Sequence, residues 1–195
     1  MNHFHKSKYS EILSALKHNA DYVAKRIFCG SKKMSENELR KHRCCFTGHR
    51  PEKLNMSEFE VKKLLEKAID EAINDGFTTF ISGGARGVDL YAAEIVIEKR
   101  NDNHDIKLIM AIPHPEFEKR WNPDDRLLYD YAIKNADLVK LINDHYFKGC
   151  YQIRNIWMVD RSSRVIAVYN GTAGGTRNTV DYAKDKGVNL KNLIS

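Results

Sequence analysis

The sequence predicts an α/β fold, a doubly wound and mainly parallel sheet with helices on both faces, preceded by a helical extension. Three observations carry this. Short, continuously apolar runs recur along the last three quarters of the chain, as strands buried on both sides require. Segments with helical periodicity separate them, and glycine-rich turns follow the strands.

Residues 10–27 place Ile12, Leu13, Leu16, Ala20, Val23, Ala24 and Ile27 at helical spacing, an amphipathic helix stopped by Gly30. Ser35 and Glu38 form a capping box for a short second helix. The period then changes. "CCFT" at 44–47 reads as the first strand of the main domain, so the chain divides into an extension over 1–42 and a domain over 43–195. A second capping box, Ser57 with Glu60, opens a helix whose face carries Phe59, Leu64, Leu65, Ala68, Ile69, Ala72 and Ile73 and which Gly76 ends. Strands follow at 78–82, 107–112, 138–142 and 165–169, with helices at 88–99, 125–135, 151–162 and 176–186 and an edge strand at 188–190. The order is that of a parallel sheet covered on both faces, whose ligands bind outside the carboxyl ends of the strands.

Charge is unevenly placed. The net charge of +6 arises from the first 43 residues, which hold ten Lys and Arg against four Asp and Glu, whereas residues 44–195 hold 22 of each. A neutral domain argues against a broad nucleic-acid face, because non-specific affinity comes from many phosphate contacts. The chain has no apolar run long enough to span a bilayer and no signal-peptide pattern, which predicts a cytoplasmic protein with no membrane partner. Its four cysteines, Cys29, Cys44, Cys45 and Cys150, lack C-x-x-C spacing and read as reduced structural residues. The histidines show no ligand spacing, so no metal is expected, and no G-x-x-x-x-G-K-[ST] loop is present.

The loops after the strands hold the candidate site. The first supplies Gly48, His49 and Arg50: a close backbone approach, a titratable ring and a planar fork of donors for phosphate. The second, "SGGARGVD", supplies Ser82, Gly83, Gly84, Ala85, Gly87 and Asp89, a partial match to the dinucleotide fingerprint without its ribose-binding acid downstream. The third leads from His114 into Phe117, Lys119, Arg120 and Trp121, residues equally able to flank a base or to cover the core edge. The fourth brings Arg154, Asn155 and Asp160. The fifth supplies Asn170, Gly171, Gly174, Gly175 and Thr176 before a helix, whose free N–H groups suit an anion. Two glycine-rich turns joined by Arg50 and Arg154 predict a cleft for a phosphorylated ligand.

With these residues assembled, the chain resembles the SLOG superfamily, the Rossmann-like group that includes the LOG cytokinin-activating phosphoribohydrolases and the DNA-processing protein DprA. More narrowly it resembles the YpsA-like branch, through "FTGHRP", "SGGARGVDLYAAE", "RNIWMVDRSS" and "AVYNGTAGGTRNTVDYA", which span about 46–183. The resemblance implies a nucleotide-derived ligand, a nucleoside phosphate or a molecule related to ADP-ribose or NAD; no cofactor is expected, since neither glycine-rich loop offers a lysine for pyridoxal phosphate. It also implies a homo-oligomer. An alternative is an N-glycosidase or phosphoribohydrolase in which Asp89, Asp160 or Asp181 assists departure of the base; a second is DprA-like nucleic-acid binding. The LOG motif P-G-G-x-G-T-x-x-E is not matched, for Asn178 and Thr179 stand in the glutamate's turn and Asp181 falls later on the helix.

Overall fold

The computed structural model describes residues 34–102 and 105–194. The amphipathic segment expected over 10–27 lies outside them. The compact unit begins at Glu36, ahead of the 42/43 boundary that the charge shift suggests. The reason is α1 (Glu36–Lys41), which the domain ties down: Arg40 Nε donates to the Ser162 carbonyl at 3.0 Å, and the Lys41 carbonyl accepts from Ser163 Oγ at 3.0 Å.

Thereafter strand and helix alternate. The strands are β1 (Arg43–Gly48), β2 (Thr79–Ser82), β3 (Lys107–Ile112), β4 (Leu138–Leu141), β5 (Arg164–Val168) and β6 (Asn189–Asn192). The helices between them are α2 (Glu58–Asn74), α3 (Val88–Asp102), α4 (Pro123–Asn135), α5 (Cys150–Asp160) and α6 (Gly175–Asp185). All six strands pair in parallel in the order β4-β3-β2-β1-β5-β6. The chain winds outward from β1 to β4, then crosses to β5 on the other side of β1. That reversal is the switch point at which open α/β sheets bind ligands.

The continuous apolar runs are explained by two cores. Cys44 and Phe46 of β1, Phe80 of β2 and Leu108 and Met110 of β3 point to one face, packed by α2, α3 and α4. Their neighbours Cys45, Ile81, Ile109 and Ala111 point to the other, against Met158 and Val159 of α5 and Ala183 of α6. Both sides of each strand are thus apolar, the signature of a covered parallel sheet. Helix α3 is buried along most of its length, from Val88 to Ile97.

The capping box at α2 forms as expected: Glu60 N donates to Ser57 Oγ, and Ser57 N donates back to the Glu60 carboxylate at 2.8 Å. The helix's apolar face, however, runs through Val61, Leu65, Ala68, Ile69 and Ala72, and Phe59 is 75% exposed. Phe59 lies two residues before Val61, about 200° away on the helix, so the two cannot share a face. Helix α4 begins earlier than the periodicity indicates. Asn122 caps it by accepting from Asp125 N at 2.8 Å, and Pro123 suits the first helical position.

No helix among the described residues is long and apolar enough to cross a membrane.

A candidate ligand cleft at the switch point

At the end of β1, the missing side chain of Gly48 lets α3 dock. A Cβ there would lie 2.6 Å from Cβ of Val88, the first residue of that helix. His49 continues the ladder by donating its N–H to the Val168 carbonyl at 3.1 Å, and its ring turns inward, 3% exposed. The ring lies against Tyr169, with Nε2 3.2 Å from Thr172 Oγ1. Burial, aided by the nearby charge of Lys53, pushes its pKa down and keeps the ring neutral. Arg50 then enters one turn of 3-10 helix, Pro51–Lys53. Positions three apart eclipse in that geometry, which returns Lys53 to the side of Arg50.

The turn after β2 is built for packing as much as for approach. Ser82 Oγ donates to the Asp89 carbonyl at 2.7 Å and accepts from Gly84 N at 3.1 Å. Gly84 adopts a φ of 66°, and a Cβ on it would press on Met110 Cε at 3.0 Å and Ile112 Cδ1 at 3.3 Å. Gly83 makes room for a side chain: Arg154 Nη1 occupies the place a Cβ would take. That nitrogen donates to Asp89 Oδ2 at 3.2 Å, a pair buried at 6% and 9% side-chain exposure, while Arg154 Nε finds no acceptor. Asp89 Oδ2 also accepts from Ala85 N at 3.3 Å. Burial raises the Asp89 pKa, opposed by Arg154 and by the Ala85 N–H.

These elements enclose a cleft of about 390 Å³, within the range of about 300–1,000 Å³ usual for small-molecule sites. Of the residues singled out by sequence, Gly48, His49, Arg50, Ala85, Asp89, Arg154, Asn155, Gly174, Gly175 and Thr176 line it. Ser82, Gly83, Gly84, Gly87, Asn170 and Gly171 do not line it; Asn170 Nδ2 donates to the carbonyl of the lining residue Lys53 at 2.8 Å, and its Oδ1 accepts from Thr172 Oγ1. Asp160 and Asp181 are not lining residues. Asp160, at the far end of α5, accepts from Tyr182 at 2.8 Å, and Asp181 pairs with Arg177 on the exposed side of α6. Among the described residues, Asp89 is the one lining carboxylate.

The lining also includes residues that sequence reasoning passed over: Thr47, Lys53, Arg86 and Tyr151. Arg86 is held by Glu52 at 2.7 Å and by Asp125, and so ties the turn after β2 to the 3-10 helix and to α4. Phe117 and Trp121 also line the cleft, and they do so while packed edge-on to each other at 4.9 Å and to Tyr129. They therefore serve as core edge and cleft wall at once. Lys119 and Arg120 do not face this cleft.

Charge in the cleft is one-sided. Arg50 and Lys53 have no carboxylate partner among the described residues, Asp89 is taken by Arg154, and the floor is the N-terminus of α6 at Gly174–Thr176. Donors in this arrangement suit an anion. Among the described residues, no group of three or more His, Cys, Asp or Glu is placed to hold a metal ion.

A family model, YpsA, described as the YspA SLOG family, matches residues 44–192. A UPF0398 protein of Bacillus cereus (strain G9842) is 29% identical over 150 residues, covering 72% of this chain and 82% of the relative; one from Bacillus thuringiensis (strain Al Hakam) matches equally. Among solved structures, the DNA processing protein A of Streptococcus pneumoniae aligns with a TM-score of 0.56 and 19% identity over 78% of this chain, which spans about 50% of that protein. The DNA processing protein A of Helicobacter pylori, described with a single-stranded DNA binding mode, aligns with a TM-score of 0.56 and 20% identity over 83% of this chain and 67% of that one.

Proposed function

We propose, from the premise that the chain belongs to the YspA SLOG family, that the cleft binds or senses a nucleotide-derived ligand, a nucleoside phosphate or a molecule related to ADP-ribose or NAD. The observation that carries this reading is the pair Arg50 and Lys53, cations without carboxylate partners among the described residues, gathered with the N-terminus of α6 around one aromatic-walled cleft, where Lys53 Nζ reaches the Ala173 carbonyl at 3.4 Å. The phosphate would sit at this cluster, with Arg50 offering its planar fork and the Gly175 and Thr176 N–H groups further donors. Phe117 and Trp121 would meet the base or ribose.

Binding is favoured over N-glycoside hydrolysis. Asp89, the one carboxylate among the described residues at the cleft, is held by Arg154 and by a backbone N–H, so it is not free to protonate a leaving base. A small ligand is favoured over a nucleic-acid strand because residues 44–195 balance 22 basic against 22 acidic side chains.

A thermal-shift series with AMP, ADP-ribose and NAD tests the reading. A ligand at a hundred times its Kd adds about 2.7 kcal/mol, roughly 5–11 °C for a domain of this size. Arg50→Ala should abolish the shift and leave the unliganded Tm unchanged, since Arg50 is exposed. No shift with any of the three in the native chain would refute it; release of free base from a ligand that does shift would favour the hydrolase.

A further inference from the structure

The cleft does not end at its aromatic wall. A second hollow of about 670 Å³ lies against it, and Phe117 and Tyr151 line both, so the two spaces share a partition. The partition is held from the second side by His114, a buried ring at 7% exposure. Its Nδ1 lies 2.7 Å from the Pro115 carbonyl, and its Nε2 lies 3.2 Å from the Tyr151 hydroxyl. A carbonyl can only accept, so Nδ1 donates to it, and Nε2 is left facing the Tyr151 hydroxyl. His114 meets Phe117, Tyr146 and Tyr151 edge-on, with centroids 6.1, 5.3 and 5.6 Å apart.

Both tyrosines nonetheless keep much of their surface open. Tyr146 is 63% exposed and Tyr151 41%, although both sit on a buried, hydrogen-bonded scaffold that fixes their orientation. At the rim, Lys119 pairs with Glu116 at 3.3 Å, whereas Arg120 has no carboxylate partner among the described residues. An oriented, exposed aromatic face beside a free guanidinium is what stacking a planar ring next to a phosphate requires. A mononucleotide seated at Arg50 would leave all of it unused.

We propose that the ligand is two-ended: two planar ring systems joined through phosphates, one nucleoside phosphate in the first cleft and the second ring in the hollow, stacked on Tyr146, with Tyr151 between them. This rests on the nucleotide reading of the first cleft. It adds to that reading the class of ligand and a second subsite.

The test is calorimetric titration of the full chain with AMP, with ADP-ribose, which has one ring, and with two adenosines joined by a pyrophosphate. The two-ringed ligand should bind about tenfold tighter than either one-ringed ligand, the worth of one stacked base. Tyr146→Ala should erase that advantage without changing AMP affinity, and Tyr146→Phe, which keeps the ring, should preserve it. Equal affinities in the native chain, or an advantage that survives Tyr146→Ala, would overturn the second subsite and leave the first standing. If none of the three binds, both readings fall. If an oligothymidylate depends on Tyr146 and binds tighter than the two-ringed ligand, the hollow belongs to a nucleic-acid strand and the proposal is overturned.

Discussion

Replacing Arg154 with methionine would leave a buried charge without its partner. Asp89 has a side-chain exposure of 9%, and its Oδ2 accepts from Arg154 Nη1 and from Ala85 N alone. Removing one member of a buried pair costs about 3–5 kcal/mol. For a chain of this length that is roughly 6–20 °C in Tm. The cost must depend on pH. The folded pKa of Asp89 is already raised by burial, and losing the opposing arginine raises it further. A group with a raised folded pKa contributes its stability below the unfolded value and loses it as pH rises through the folded value. The Arg154→Met deficit should therefore be large at about pH 8 and shrink toward about pH 5, where the carboxyl can take up a proton. Urea unfolding of both proteins at the two pH values measures it, and Asp89→Asn combined with Arg154→Met should remove the pH dependence. A deficit below about 1 kcal/mol at the higher pH, or one equal at both pH values, would refute the assignment of this pair as buried and mutually dependent.

Gly84→Ala should lower stability in urea unfolding by about 1–3 kcal/mol. The left-handed φ of 66° at that position and the approach of Met110 and Ile112 both oppose a Cβ; an unchanged midpoint would place the turn outside the core. The native chain should lose stability as pH falls below about 6.5, since a His49 pKa depressed by burial and Lys53 contributes stability above the unfolded value that is lost as pH falls through the folded one. His49→Gln should flatten that slope in a thermal melt series. Burial pushes up the pKa values of Cys44 and Cys45, that of Cys45 to about 12. In a Cys29→Ser variant both should resist a thiol reagent while the protein is folded and, like the buried Cys150, react only after unfolding.

Much of this architecture is legible in the sequence because the physics that writes it is local. A strand buried on both faces must be apolar at every position, so "CCF" and "KLIMAI" announce themselves. Capping at Ser57 is equally local. The face of α2 is less so, because Phe59 and Leu64 also fit a helical stripe, and only burial shows that the stripe runs through Val61 with Phe59 on the opposite, exposed side. The cleft's two glycine-rich turns are visible as patterns, but a pattern does not say what each glycine makes room for. Gly48 admits Val88, Gly83 admits Arg154, and Gly84 meets the core. Arg86 was hidden for a different reason, since its partners Glu52 and Asp125 come from separate elements. Lys53 could have been found from the 3-10 turn that Pro51 begins.

The seat that Gly83 provides for Arg154 binds two distant positions into one unit of inheritance. Any side chain at 83 evicts the guanidinium, and any shorter residue at 154 leaves a void beside a carboxylate that then lacks its counter-charge. Neither position can drift alone. Across relatives, position 83 should enlarge only where 154 has shrunk and 89 has lost its charge, so the three should vary together as a triplet.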